Sequence, residues 1–358
     1  MNFILTAGAA VPTIVAAFVI AAVLSLIATP TVRTFVRRRG IVDHPNERRV
    51  NRRPLPRGGG VAVVAAFTIV GGAAVLLDGT VAGLPSAHQI GPNQLVGLFA
   101  GGVLAAVIGA IDDALDLRAR WQFLGQIVVA LVAVWAGITV AFVGNPFGPE
   151  NITFPVWLGI AFTVVWIVGM TNSLNFIDGL DGLSSGIALI AAVTLGILSL
   201  TQQVNQPFVA VLCFTLAGAL LGFLRWNFHP AVIFQGSAGV MFLGYTLGIL
   251  SILGTAKVIV ALLVLAVPIV DSFWVIVRRL FSGRSPFSPD RGHIHHRLLD
   301  VGLSHRNTVL LIYGMCATLG LMSLIVSVST GIYAFLGVLV GFGLLLYVLG
   351  RRAGEELS

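Results

Sequence analysis

Apolar runs long enough to cross a bilayer, roughly 17–25 residues each, recur along this chain and restrict it to a membrane-embedded fold. Eleven such runs fall at about 12–34, 59–77, 94–111, 122–143, 155–173, 183–200, 207–224, 238–253, 257–277, 307–328 and 331–349. A spanning segment must satisfy its own backbone, so the expected fold is an all-α polytopic bundle of about eleven helices. Charged residues make up 10% of the 358, against about 25% in a soluble domain.

The arginines orient the bundle. With the N-terminus outside and alternating crossings, the inner loops collect all 20 arginines, and the single lysine, Lys257, stays outside. Positive charge is retained on the cytoplasmic side, so the C-terminus is expected there, in a multi-pass plasma-membrane protein. The net charge of +7 then reflects topology and contact with anionic lipid. No interleaved aromatic and basic surface points to nucleic acid. Cys213 and Cys316 lie in apolar runs and are too few for a disulfide framework or a zinc cluster. No basic stretch precedes the first run, which reads as an uncleaved anchor. Residues 1–350 are expected to form one unit, with 351–358 as a short cytoplasmic tail.

Under this topology the chemistry-bearing residues converge on the inner face. Asp112 and Asp113 are adjacent at the end of an apolar run, in GAIDDALDLRAR. Two neighbouring carboxylates repel unless a positive charge sits with them. Either they form a solvated helix end paired with Arg118 and Arg120, or they hold a cation. Oxygen-rich groups of this kind suit Mg²⁺, which takes one or two carboxylates and completes its shell with phosphate.

A second cluster, NSLNFIDGLDGL, spaces Asn172, Asn175, Asp178 and Asp181 three residues apart, near one helical face for about two turns. The glycines beside the acids let the backbone turn and approach a ligand. A third, DRGHIHHRLLD, sets His293, His295 and His296 beside Arg291 and Arg297. Zinc-site spacing is missing there, and hydrogen-bonding or cationic histidines facing a phosphate fit better. Asp271 is the one acid clearly inside a run, and packing against a neighbouring helix is its expected role. A transporter would need more acids near the bilayer midplane. Acids, amides, histidines and arginines on one membrane face point instead to a diphosphate, its metal and a lipid co-substrate.

DDALDL, NSLNFIDGLDGL, NFHPA and DRGHIHH, in that order, resemble the polyprenyl-phosphate N-acetylhexosamine-1-phosphate transferases, of the glycosyltransferase family 4 type. The likeness runs from about Val42 to Leu299, and its HIHH form is closer to the N-acetylglucosamine branch. It implies transfer of a sugar-1-phosphate from a UDP-sugar to undecaprenyl or decaprenyl phosphate, with Mg²⁺ as cofactor and UMP released. This would be the first membrane step of cell-envelope polysaccharide synthesis; a homodimer is compatible with it. Carried over, Asp112 handles the lipid phosphate, and Asp113 and Asn175 hold the metal. Asn172, Asp178, Asp181 and Arg291 contact the nucleotide-sugar, and His293, His295 and His296 the diphosphate.

The sequence departs from the family pattern at four polar positions. Asn51 stands where histidine is usual, Gln122 and Val232 where lysine is usual, and Ser237 where the second metal-binding aspartate is usual. These departures predict weak transfer. They leave a second reading open, a relative that binds lipid phosphate or nucleotide-sugar without efficient turnover.

Overall fold

The computed structural model describes residues 10–43, 54–78, 89–145, 150–253, 257–285, 292–325 and 328–352. Its helices are α1 Val11–Arg38, α2 Gly60–Leu76, α3 Pro92–Leu115, α4 Ala119–Trp135, α5 Val156–Ile177, α6 Leu183–Ser199 and α7 Pro207–Asn227. They continue with α8 Gly236–Ile252, α9 Lys257–Val264, α10 Ala266–Phe281, α11 Ile294–Asp300, α12 His305–Ile325 and α13 Val328–Arg352. Two short antiparallel pairs complete the described elements: β1 Val42–Asp43 with β2 Leu55–Pro56, and β3 Phe142–Val143 with β4 Ile152–Thr153.

Each of the eleven apolar runs contains helix, with two revisions. The run at 122–143 stops being helical at Trp135, where Gly137 adopts a left-handed φ of 79° and the chain turns into β3. The run at 257–277 is two helices, α9 and α10, which meet at 77°. By length and hydropathy five described helices can cross a membrane: α1, α3, α5, α7 and α12, or six if the bent pair is one span. The 17-residue helices α2, α4, α6 and α8 fall short because each rises only about 25 Å, against a hydrocarbon core of about 30 Å.

Close helix approach explains much of the glycine. Cβ atoms added at Gly218 and Gly222 of α7 would each lie 2.1 Å from a carbonyl oxygen of α1, those of Phe18 and Ala22. Glycines four apart thus let α1 and α7 touch backbone to backbone, where dispersion packing replaces the hydrophobic drive that lipid cannot supply. At the centre lies α8, every residue from Gly236 to Ser251 buried, packed by α2, α3, α5 and α9. Two of the polar side chains here are tied internally, as a water-free interior favours. The Tyr245 hydroxyl donates to Gly97 O at 2.6 Å, and Trp166 Nε1 donates to Ser251 Oγ at 3.0 Å. Outward faces are apolar instead, with Ile27, Ile69, Val165 and Leu321 exposed, as lipid contact demands.

Candidate functional site

Six stretches meet at one end of the bundle, and backbone pairing starts the assembly. After β2 the chain runs alongside residues 234–235: Phe234 N donates to Pro56 O at 2.9 Å, Gly59 N to Phe234 O at 2.8 Å, and Gly60 N to Gln235 O at 2.9 Å. That pairing carries Arg57 over the ends of α3 and α8. A Cβ at Gly109 would lie 2.3 Å from Ser237 O, so this glycine lets the last turns of α3 press against the start of α8.

Asp112 and Asp113 end α3 with side chains almost fully buried. Asp113 Oδ1 accepts from Ser237 N at 2.8 Å, Asp113 Oδ2 from Ala238 N at 3.1 Å, and Arg57 Nε approaches Asp113 Oδ1 to 2.7 Å. Asp112 Oδ1 accepts from Leu117 N at 3.0 Å and Gln122 Nε2 at 2.8 Å, while its Oδ2 faces Arg57 Nη2 at 3.6 Å. Among the described residues no ion pair joins these acids to Arg118 or Arg120; Arg120 stacks over the Trp121 ring instead. Gln122, where lysine is usual, still supplies a donor to Asp112. Ser237 meets Arg57 through its hydroxyl, which accepts from Nη2 at 2.9 Å.

The asparagine–aspartate series is split by the end of α5. Asn172 donates to Gln126 Oε1 at 2.6 Å and to Val168 O at 2.8 Å. The helix stops at Ile177, so Asp178 is its C-cap residue and Asp181 lies beyond it. This corrects the expectation of one continuous face. Asn172, Asn175 and Asp178 line a common cavity, and Asp178 accepts a hydrogen bond from the Ser184 hydroxyl. Asp181 turns elsewhere: its Oδ2 meets His229 Nδ1 at 2.8 Å and accepts from Ala231 N at 3.0 Å, and its own N–H donates to His305 Nε2 at 3.0 Å. The ligand atoms of Asp181, His229 and His305 lie within 4.8 Å of one another, as a metal group could. Each nonetheless already has a partner within the trio or on Ala231.

The histidines are anchored by a residue whose expected role was helix packing. Asp271, buried within α10, accepts from His293 Nδ1 at 2.7 Å through Oδ2 and from Ile294 N at 2.8 Å through Oδ1. It therefore holds the His293 tautomer and ties down the first amide of α11. His295 is buried, and neither ring nitrogen finds a hydrogen-bond partner among the described residues. Burial first, then the neighbouring His296, His293 and His305, push His295 well below the usual histidine range, so it is neutral at pH 7. The cationic option is thereby excluded for His295. Gly179 makes room for it, since a Cβ there would lie 2.2 Å from His295 Nε2.

These residues border a cavity of about 1220 Å³. Arg57, Gln122, Asn172, Asn175, Asp178, Arg279 and all three histidines give it polar walls. Phe123, Val164, Val165, Val168, Ile269, Phe273 and Ile276 give it an apolar side. Val165 and Phe273 are among the exposed apolar side chains, so the apolar side of the cavity is not sealed. Arg291 and Asn51 lie outside the described residues. Arg297 is buried and donates from Nε to Gly292 O at 2.8 Å, away from the cavity wall. Sequence reasoning missed Arg57, Arg279 and Asp271 as site residues. The stretch PLPRGGG was the available signal for Arg57, because a glycine run allows a backbone to pair closely with another segment.

A metal between Asp113 and Asn175 does not fit this arrangement. Asn175 lines the cavity; Asp113 does not, and both its oxygens already accept from Arg57 or backbone amides.

Comparison with known proteins agrees with the motif likeness. The profile of glycosyl transferase family 4 matches residues 95–255. The chain is 37% identical over 306 residues, 84% of its length, to the probable undecaprenyl-phosphate N-acetylglucosaminyl 1-phosphate transferase of Bacillus subtilis (strain 168), covering 81% of that protein. It is 38% identical over 317 residues to the decaprenyl-phosphate N-acetylglucosaminephosphotransferase of Mycolicibacterium smegmatis, covering 82% of this chain and 77% of the relative. To the undecaprenyl-phosphate alpha-N-acetylglucosaminyl 1-phosphate transferase of Escherichia coli (strain K12) it is 29% identical, over 78% of this chain and 75% of that one. With identity at this level spread across most of both partners, the chain belongs to glycosyl transferase family 4, among the polyprenyl-phosphate N-acetylglucosamine-1-phosphate transferases.

Proposed function

We propose that this protein transfers N-acetylglucosamine 1-phosphate from UDP-N-acetylglucosamine to a polyprenyl phosphate at the cytoplasmic face of the plasma membrane. The observation that carries this reading is the cavity with two kinds of wall. Its unsealed apolar side suits a polyprenyl chain; its polar side, bearing Arg57, Arg279 and three histidines, suits phosphates. In the transfer, a lipid-phosphate oxygen bonds to the β-phosphorus of the donor, the bond to the α-phosphate oxygen breaks, and UMP leaves. Asp112 lies behind the cavity wall formed by Arg57 and Gln122 and does not itself line it; once a lipid phosphate draws Arg57 aside, its Oδ2 accepts the proton of the monoprotonated phosphate. Neutral His295 offers its one N–H as a donor to the diphosphate, while Arg279 and Arg57 offset its charge. Family members are generally metal-dependent, and Mg²⁺ is the ion whose chemistry suits phosphates. All the named relatives are transferases, which disfavours the non-catalytic reading.

The purified protein, given UDP-N-acetylglucosamine and undecaprenyl phosphate with Mg²⁺, is expected to release UMP only when the lipid phosphate is present. No release with any UDP-N-acetylhexosamine would sink the proposal.

The crossing pattern proposed for this activity has eleven helices, N-terminus outside and C-terminus cytoplasmic. Support comes from the arginines at the C-terminal ends of α1, α7 and α10, where positive-inside retention and the helix dipole favour the same placement. Reporter fusions after Arg57, Pro146 and Arg352 should read inside, outside and inside. An external C-terminus contradicts the pattern.

A further inference from the structure

We infer that Arg57 is the built-in cation of the Asp112–Asp113 pair, and that a divalent metal gains this pair only by displacing the guanidinium. The inference concerns cation binding and stands whether or not UMP is released. One guanidinium serves the whole cluster: Nε lies 2.7 Å from Asp113, Nη2 3.6 Å from Asp112, Nη1 3.9 Å from Asp116, and Nη2 donates to Ser237 Oγ at 2.9 Å. Among the described residues no other cation pairs with either buried acid.

The carboxylate oxygens leave a metal little to hold. Mg²⁺ demands near-octahedral oxygen ligands at about 2.1 Å. Both oxygens of Asp113 are taken, one by Arg57 and Ser237 N and the other by Ala238 N. Asp112 Oδ1 is taken by Leu117 N and Gln122. Among the described residues, Asp112 Oδ2 has nothing closer than the 3.6 Å contact with Arg57. An ion bridging the pair therefore has to take the Arg57 position.

Charge makes the two cations exclusive. A guanidinium is always protonated, so Arg57 already sets a full positive charge beside both carboxyl groups. A divalent ion added beside Arg57 would face a full positive charge a few ångströms away, at low dielectric, where repulsion is strong. Arg57 has somewhere to go, because its side chain is 21% exposed and lines the cavity proposed for the phosphates. Displacement would therefore exchange partners: metal to the carboxylates, guanidinium to a phosphate. Ser237 favours the resident state, since its neutral hydroxyl accepts from Nη2 without adding a negative charge that would draw a metal.

Mn²⁺ is the probe, titrated against the purified full-length protein without substrates and followed by its electron paramagnetic resonance signal. Arg57→Gln is expected to tighten Mn²⁺ binding by about tenfold or more, because a positive charge is removed from beside two buried carboxylates. Arg57→Lys keeps a positive charge but cannot bridge all four partners, and is expected to tighten binding by about threefold. It serves as the deciding variant if Arg57→Gln does not fold. Unchanged or weaker binding in the folded variant overturns the inference. So does a tightening that persists when Asp113→Asn is added, because the ion would then sit elsewhere, for instance at Asp181, His229 and His305.

Discussion

Asp112→Asn is expected to lower lipid-dependent UMP release by about 10²–10⁴-fold, the usual worth of a positioned acid or base. The substitution keeps the shape of the site. Asparagine presents a carbonyl oxygen that still accepts from Leu117 N and Gln122, the two bonds that now fix Oδ1. Arg57 loses only its long 3.6 Å contact and keeps the 2.7 Å one with Asp113. The change is thus confined to the charge and basicity of Oδ2. The measurement is the UMP release rate at saturating donor, beside a thermal unfolding curve in the same detergent. A melting temperature within a few degrees of the parent, with a large rate loss, supports proton transfer at Asp112. A rate within a few-fold of the parent removes Asp112 from the chemistry. Asp113→Asn is a poorer probe of that role, since it disturbs the main anchor of Arg57 as well.

Asp271→Ala is expected to destabilise the protein by about 3–5 kcal/mol, the range for losing one partner of a buried, hydrogen-bonded charge. Asp271 is fully buried and serves two donors on the segment that follows α10, His293 Nδ1 and Ile294 N. Alanine leaves both without an acceptor in a water-poor interior. The seven-residue helix α11 is too short to hold itself without tertiary support, so His293, His295 and His296 lose their placement together. Asp271→Asn separates the two functions. Its carbonyl can still accept from Ile294 N, while its amide would donate to His293 Nδ1 and force the other tautomer. Thermal unfolding should therefore be much less affected in Asp271→Asn than in Asp271→Ala, with activity low in both. A parent-like melting curve for Asp271→Ala would return this acid to simple helix packing.

Both predictions rest on pairs that local pattern does not reveal. Asp112 and Asp113 were legible as a carboxylate pair needing a positive neighbour, and the near candidates, Arg118 and Arg120, were the natural guess. The partner instead comes from residue 57, because the backbone of 56–60 pairs with 234–235. Asp271 looked like a packing residue for a similar reason: its partner, His293, lies 22 positions away in the chain. The series from Asn172 to Asp181 was legible as polar and glycine-flanked. Its division between the cavity and the His229–His305 side follows from where α5 stops, at Ile177.

The helical, membrane-embedded character, the approximate helix positions, the arginine-rich ends and the family were all present in the linear order of residues. Hydropathy and charge act on each segment against lipid or water, so a window of about twenty residues carries the information. Motif order likewise survives as a string, and identity with the named transferases agrees with it. Which helices reach spanning length, the 77° bend between α9 and α10, and the choice of Arg57 as counter-charge came from packing. Those features depend on how closely backbones approach, as at Gly109 against Ser237, and on competition among many charges for few buried carboxylates. Neither the approach nor the competition exists until distant segments share one volume.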